Sequence, residues 1–263
     1  MTDSSNINIL NKVLDVLELL ASQKKDIGVS EISRQLQAPK SGIFRILNTL
    51  KDRGYVYQNP ATKSYGLGLN FYFLGVAVQN KLHLTKVAKK ILDPLCNQYN
   101  ECFYFAIPHL QSTSEPSIIT IYATTTNRAL SVNIYSGMTL PAHNMATGIC
   151  ILSSLSNSDL LNYIDCNLSS STKFSINNWN DLNKEIENTR ENGYCTLKST
   201  LELGIAEIAV PVYDTMSYPI GAMGICAPIE RLQNLDKKEL LRTLKRSSQM
   251  ISNFSEEKLI YKS

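Results

Sequence analysis

Among its 263 residues the chain has no uninterrupted apolar run of the roughly 18 residues that a membrane-spanning helix needs, which excludes such a span. Its first residues, Met-Thr-Asp-Ser-Ser-Asn, lack the basic and apolar stretches of a secretory signal, so a cytoplasmic protein is expected. Histidine is scarce. His83, His109 and His143 form no H-x-H or H-x-x-x-H pair, and no Cys/His cluster has metal-ligand spacing. There is no P-loop, no dinucleotide fingerprint and no G-x-S-x-G. No catalytic residue, metal or cofactor is therefore named. The six cysteines (Cys96, Cys102, Cys150, Cys166, Cys195, Cys226) are widely spaced without a C-x-x-C pair, and reduced core thiols are expected.

What is present is the composition of a globular protein, 43% hydrophobic and 19% charged, on a chain long enough for two domains. Charge is unevenly placed. Residues 1–90 carry 13 Lys+Arg against 6 Asp+Glu, and residues 91–263 carry 13 against 17, for a net +3. A basic front half suits a nucleic-acid-binding module attached to something else.

The front half explains that charge. Leu10, Val13, Leu14, Leu17 and Leu20 recur at helical spacing and predict a helix over residues 8–22. Ser30 is placed to cap a second, short helix with Ile32 and Leu36 inward, stopped by Pro39. A third helix runs from Lys40 or Ser41 to a stop at Gly54, with Ile43, Ile46, Leu47 and Leu50 on its core arc. Ser41, Phe44, Arg45, Asn48, Thr49 and Asp52 lie on the opposite arc. Two short strands, Tyr55–Tyr57 and Ser64–Leu67, then flank a turn-rich tip that carries Lys63. Helix, helix, recognition helix and wing in that order make a winged helix-turn-helix. On the third helix, Arg45 suits guanine, Asn48 adenine and Phe44 a thymine methyl, whereas Lys40 and Ser41 suit phosphate.

Taken with the Lys-Val-Leu-Asp-Val-Leu-Glu-Leu-Leu of the first helix, Ala-Pro-Lys-Ser-Gly-Ile-Phe-Arg-Ile-Leu-Asn-Thr-Leu, the Arg-Gly-Tyr and the Tyr-Gly-Leu-Gly of the wing resemble an IclR-family transcriptional regulator, over nearly the whole chain. The sequence departs from that pattern at Gly42 and Phe44, which bears on the operator sequence rather than on DNA binding. The resemblance implies a homodimer, often pairing into a tetramer. Independently, Phe71, Leu74, Val78 and Leu82 form an apolar stripe just after the wing, with two coverings open to it: the same helix of a second chain, or the chain's own second domain.

The back half mixes strands (expected at 102–109, 117–125, 130–135, 205–213 and 220–227) with helices (144–155, 158–166, 179–192 and 236–255). That order is α+β, with helices on an antiparallel sheet, and it resembles the GAF-like effector domain of the same family. The expected domains are a winged helix over 1–69, a connector helix over 70–83 and an effector domain over 84–263.

Leu140-Pro141-Ala142-His143-Asn144-Met145-Ala146-Thr147-Gly148 joins a turn to a helix N-terminus, a seat for an anion or polar group. The resemblance marks it as an effector loop and carries over Leu140, Ala146, Thr147, Leu197, Ile205, Glu207, Gly224 and Cys226 as effector-binding positions. The chain departs from the family at Leu197-Lys198-Ser199-Thr200, Ile149, Gly224, Cys226 and Glu207. Strand alternation alone leaves Glu207 either inward, where it disfavours an acidic ligand, or outward in solvent.

The expected protein is a sequence-specific regulator that binds a double-stranded operator, an inverted repeat, and senses a small metabolite by population shift. The alternative is an enzyme or thiol switch built on the back domain, using Cys150 or Cys226, with the winged helix making protein contacts.

Overall fold

The computed structural model describes residues 3–81, 83–110, 115–214 and 216–254. The chain divides into two compact units, Met1–Lys81 and Leu82–Ser263. In the first, α1 (Asp3–Ser22), α2 (Val29–Gln35) and α3 (Lys40–Asp52) precede the hairpin β1 (Val56–Gln58) and β2 (Tyr65–Leu67), and α4 (Asn70–Lys81) follows. Val16, Leu20, Ile32, Ile43, Leu47, Val56 and Tyr65 form its core. The first helix begins earlier than its apolar stripe indicated, at Asp3.

Ser30 is not the cap of α2. Gly28, with extended backbone, occupies that position, and its carbonyl accepts the amides of Glu31 and Ile32 at 3.0 and 3.1 Å. Pro39 serves α3 the same way, its carbonyl accepting from Gly42 and Ile43 at 3.0 and 3.1 Å. A carbonyl suffices here because the capping residue already makes the first helical bond. The wing pairs Val56 with Leu67 and Gln58 with Tyr65. At its tip Asn59 Oδ1 accepts from the amides of Ala61 and Thr62 at 3.0 and 3.2 Å, and Lys63 takes a left-handed φ of +57°. Leu82, the last member of the expected connector stripe, lies outside the described residues.

In the second unit α5 (His83–Tyr99) leads into a six-stranded antiparallel sheet. Its strands are β3 (Cys102–His109), β4 (Ser117–Ala123), β5 (Thr139–Pro141), β6 (Cys195–Lys198), β7 (Ile205–Tyr213) and β8 (Pro219–Pro228), in the spatial order β5-β4-β3-β8-β7-β6. Between β5 and β6 come α6 (Ala146–Ser153), α7 (Asn157–Leu160) and α8 (Trp179–Asn192); α9 (Ile229–Gln233) and α10 (Lys237–Phe254) follow β8.

Both faces of the sheet are covered. Phe103, Phe105, Ile208, Val210 and Ile225 meet Leu92, Leu240 and Leu244 of α5 and α10. Cys102, Tyr104, Ala209 and Cys226 meet Ile149 and Cys150 of α6 and Leu182 and Ile186 of α8. Burial on two faces explains why β8 reads as a continuous apolar run without polar alternation.

The strand expected over 130–135 does not form. The free edge of β4 bonds instead to the chain just beyond it: Gly137 donates to Thr120 at 2.7 Å, Thr120 donates to Met138 at 2.9 Å, and β5 pairs Ile118 with Leu140. One edge accepts one ladder, so residues 130–135 are left irregular, with Leu130 and Tyr135 exposed and Ile134 buried. The helix expected over 158–166 is reduced to the single turn of α7 and a 3-10 turn at Leu161–Tyr163.

Candidate functional site

On the winged helix, α3 buries Ile43 and Leu47 and tucks in Ile46 and Leu50, so its other arc faces out. Lys40, Ser41, Phe44, Arg45 and Thr49 are exposed there, and Asn48 is half-buried. Phe44 leaves 49% of its surface open on this arc. Thr49 Oγ1 donates to the Arg45 carbonyl at 3.0 Å, which leaves its lone pairs outward. Lys63 is exposed at the wing tip, and Lys51 and Arg53 add positive charge at the far end of α3. All seven sequence-expected contact residues thus lie on two elements of one unit, mostly exposed and carrying cations.

The second unit holds the other candidate site. Reading across β3, β8, β7 and β6, the register sets Cys102, Cys226, Glu207 and Leu197 in one row and Tyr104, Gly224, Ala209 and Cys195 in the next. Glu207 therefore points inward, 4% exposed, toward the start of α6. Its Oε2 accepts the Ala146 amide at 2.7 Å, and its Oε1 accepts the Thr147 amide at 3.1 Å. The Tyr104 hydroxyl donates to Oε1 as well and lies 2.8 Å from Thr147 Oγ1.

These amides are among the first N–H groups of a helix, which have no partner within it and sit at its positive end. Tyr104 and Glu207 stand two strands apart, roughly 10 Å at the usual strand spacing. Gly224 of β8 lies in register between Tyr104 and Ala209, and a Cβ there would meet the Ile208 carbonyl oxygen at 2.8 Å.

Burial pushes the Glu207 carboxyl above its ordinary value, while the bonds from Tyr104, Ala146 and Thr147 pull it back. Four buried thiols belong to the core on this side of the sheet. Burial and the nearby carboxyl push Cys102 up to about 12, and push Cys150, Cys195 and Cys226 up as well. Thiols so far from ionising are poor nucleophiles, which weighs against a thiol switch at Cys150 or Cys226. His143 Nε2 donates to the Ser169 carbonyl at 2.9 Å, and its Nδ1 lies 3.9 Å from Glu115.

The structure brings all eight expected effector positions to this one face: Leu140, Ala146, Thr147, Leu197, Glu207, Gly224 and Cys226 are buried, and Ile205 packs at the margin. It settles Glu207 as inward. Sequence reasoning missed Tyr104, although a lone hydroxyl-bearing ring in an otherwise apolar strand is a signal of a buried polar partner. It also missed Asn144, whose side chain donates to Ser169 at 3.1 Å and accepts from the Ile176 amide at 2.9 Å, fixing the turn that launches α6. Among the described residues no helix is long and apolar enough to cross a membrane. Nor, among them, could any group of three His, Cys, Asp or Glu hold a metal.

A cation-bearing winged helix joined in one chain to a domain with an enclosed polar seat is the arrangement of a transcription regulator. Known proteins agree. Residues 10–60 match the IclR helix-turn-helix domain, and residues 76–253 match the bacterial transcriptional regulator IclR C-terminal domain. The chain belongs to the IclR family of transcriptional regulators.

It is 25% identical over 249 residues to the HTH-type transcriptional regulator KdgR of Dickeya chrysanthemi, covering 94% of this chain and 80% of that one. To the glycerol operon regulatory protein of Streptomyces coelicolor it is 28% identical over 228 residues, covering 86% and 87%. The fold of an IclR homolog from Microbacterium hydrocarbonoxydans, solved with 4-hydroxybenzoate, is similar at a TM-score of 0.76 and 18% identity, covering 94% and 98%. The chain is therefore a DNA-binding transcriptional regulator of that family.

Proposed function

We propose that α3 enters the major groove of an inverted-repeat operator, with Arg45, Asn48 and Phe44 on base edges and Lys40, Ser41, Thr49 and Lys63 on the backbone and groove wall. The observation that carries this is the one-sided dressing of α3, apolar residues inward and Phe44 and Arg45 exposed on the other arc. Two half-sites require two copies. On α4, Tyr72, Phe73, Leu74 and Val78 are each more than half exposed, and covering them with α4 of a second copy supports a homodimer or a dimer of dimers.

In this reading residues 1–69 are the DNA-binding domain, 70–83 the connector and 84–263 the effector domain of a cytoplasmic regulator. The effector is a small metabolite; the fold neighbour held with 4-hydroxybenzoate supports a ligand of that size. Leu140, Ala146, Thr147, Leu197, Ile205, Glu207, Gly224 and Cys226 frame its seat. Ligand binding biases the setting of the paired DNA-binding domains.

The test is selection of bound sequences from random duplex DNA at fixed salt. An enriched inverted repeat is expected, and Arg45→Ala should cost about 1–3 kcal/mol of discrimination at one base position per half-site. Absence of any enriched sequence, or discrimination unchanged in Arg45→Ala, would overturn it.

A further inference from the structure

We infer that Glu207 is a built-in occupant of the seat at the start of α6: its carboxyl group stands where a free carboxylate would bind, so this domain does not take small acids as effectors. The inference rests on the seat assigned above and deepens it by naming the class of ligand excluded. Three observations carry it. The amides of Ala146 and Thr147 point at a carboxyl group supplied by a different element, some sixty residues away in sequence. Both oxygens of that group are engaged, one of them doubly through Tyr104, so no donor of this set remains for a second anion. And the group is enclosed, 4% exposed beneath α6, held between Tyr104 and Thr147 and paired across the strands with Cys226.

An incoming carboxylate would have to displace Glu207, find the same two amides, and leave a buried carboxyl without donors. That exchange is unfavourable, because a buried polar group stripped of its partners bears its full desolvation cost. An effector of this protein is accordingly a neutral or cationic molecule, or one that acts on the filled seat without entering it.

The test is chemical rescue. Glu207→Ala removes one methylene and the carboxyl group, the size of acetate. The full-length wild type, Glu207→Ala and Glu207→Gln are titrated with acetate against chloride at constant ionic strength, and unfolding is followed by fluorescence of Trp179, the single tryptophan. Wild type should show no acetate-specific rise in Tm. Glu207→Ala should be destabilised and regain several degrees in a saturable manner, with acetate binding at least tenfold tighter than to wild type. Glu207→Gln keeps the seat plugged and should gain nothing.

Acetate stabilising wild type as much as Glu207→Ala would overturn the inference, as would a folded Glu207→Ala that ignores acetate, or rescue of Glu207→Gln. If Glu207→Ala does not fold alone, refolding in acetate gives the same decision: recovery of the folded domain supports the inference, and no recovery refutes it. Sequence-selective DNA binding is measured on the same samples. Its absence from wild type would overturn the regulator assignment and leave the acetate result standing on its own.

Discussion

Gly148 is the third residue of α6, and the helix rests there directly on the backbone of Ala142. A Cβ added at Gly148 would sit 2.6 Å from the Ala142 carbonyl carbon and nearer still to its oxygen, so Gly148→Ala forces α6 away by about 1 Å to restore ordinary contact. Overpacking of this kind costs about 1–3 kcal/mol.

The displacement also carries the amides of Ala146 and Thr147 off Glu207, from 2.7 and 3.1 Å to beyond hydrogen-bonding range. Each bond lost to a charged partner adds about 1.5–3 kcal/mol, and with one lost the total is about 2.5–6 kcal/mol. At about 2–4 °C per kcal/mol for a unit of this size, the C-terminal domain should unfold about 5–24 °C below wild type. Trp179, at the start of α8 where that helix packs on α6, reports this unit alone. Gly204→Ala is the control: at Gly204 φ is +81° but nothing lies within 4 Å, so only backbone strain of about 1 kcal/mol is expected. A Gly148→Ala midpoint within the range of that control would refute the close packing of α6 and the leverage it has on Glu207.

Tyr104→Phe removes one donor from Glu207 and leaves Thr147 Oγ1 without that neighbour, so a loss of about 2–3 kcal/mol is expected by denaturant titration; no loss would mean that the hydroxyl is not bonded there. The carboxyl of Glu207 is raised in the folded state above 4.5, so the native protein holds this proton to higher pH than the unfolded chain does. Its contribution is therefore greatest below pH 4.5 and is lost as pH rises through the folded value. Stability-against-pH curves of wild type and Glu207→Gln should differ by this falling slope, and parallel curves would refute the shift. Glu101 is buried and meets Arg231, whose Nη2 donates to it at 2.9 Å, with Arg128 at 3.4 Å. Glu101→Ala should cost about 2 kcal/mol in thermal unfolding, below the fully buried case because both arginines are partly exposed.

Much of the fold was legible because local chemistry and tertiary outcome agreed. The helix over Trp179–Asn192 and the strands over Cys102–His109 and Ile205–Tyr213 have the bounds that spacing gave them, since clear stops flank each. Residues 130–135 failed for a non-local reason: their alternation suits a strand, but β4 had one free edge and β5 took it. Likewise β6, a short polar-flanked segment, is a strand only because β7 offers it a ladder. At the proposed effector seat the loop and the strand were recognisable separately, yet Tyr104 was not, because its partner Glu207 lies 103 residues further along the chain.

The sequence by itself determined the winged helix and the outward face of α3, because helical periodicity divides core from surface within thirteen consecutive residues. It determined the family as well, through motifs that are local strings. Only the tertiary structure decided which way Glu207 points and what it meets. Alternation fixes that Glu207 shares a face with Ile205 and Ala209, but not which face is covered by α6; that choice belongs to packing between elements sixty residues apart.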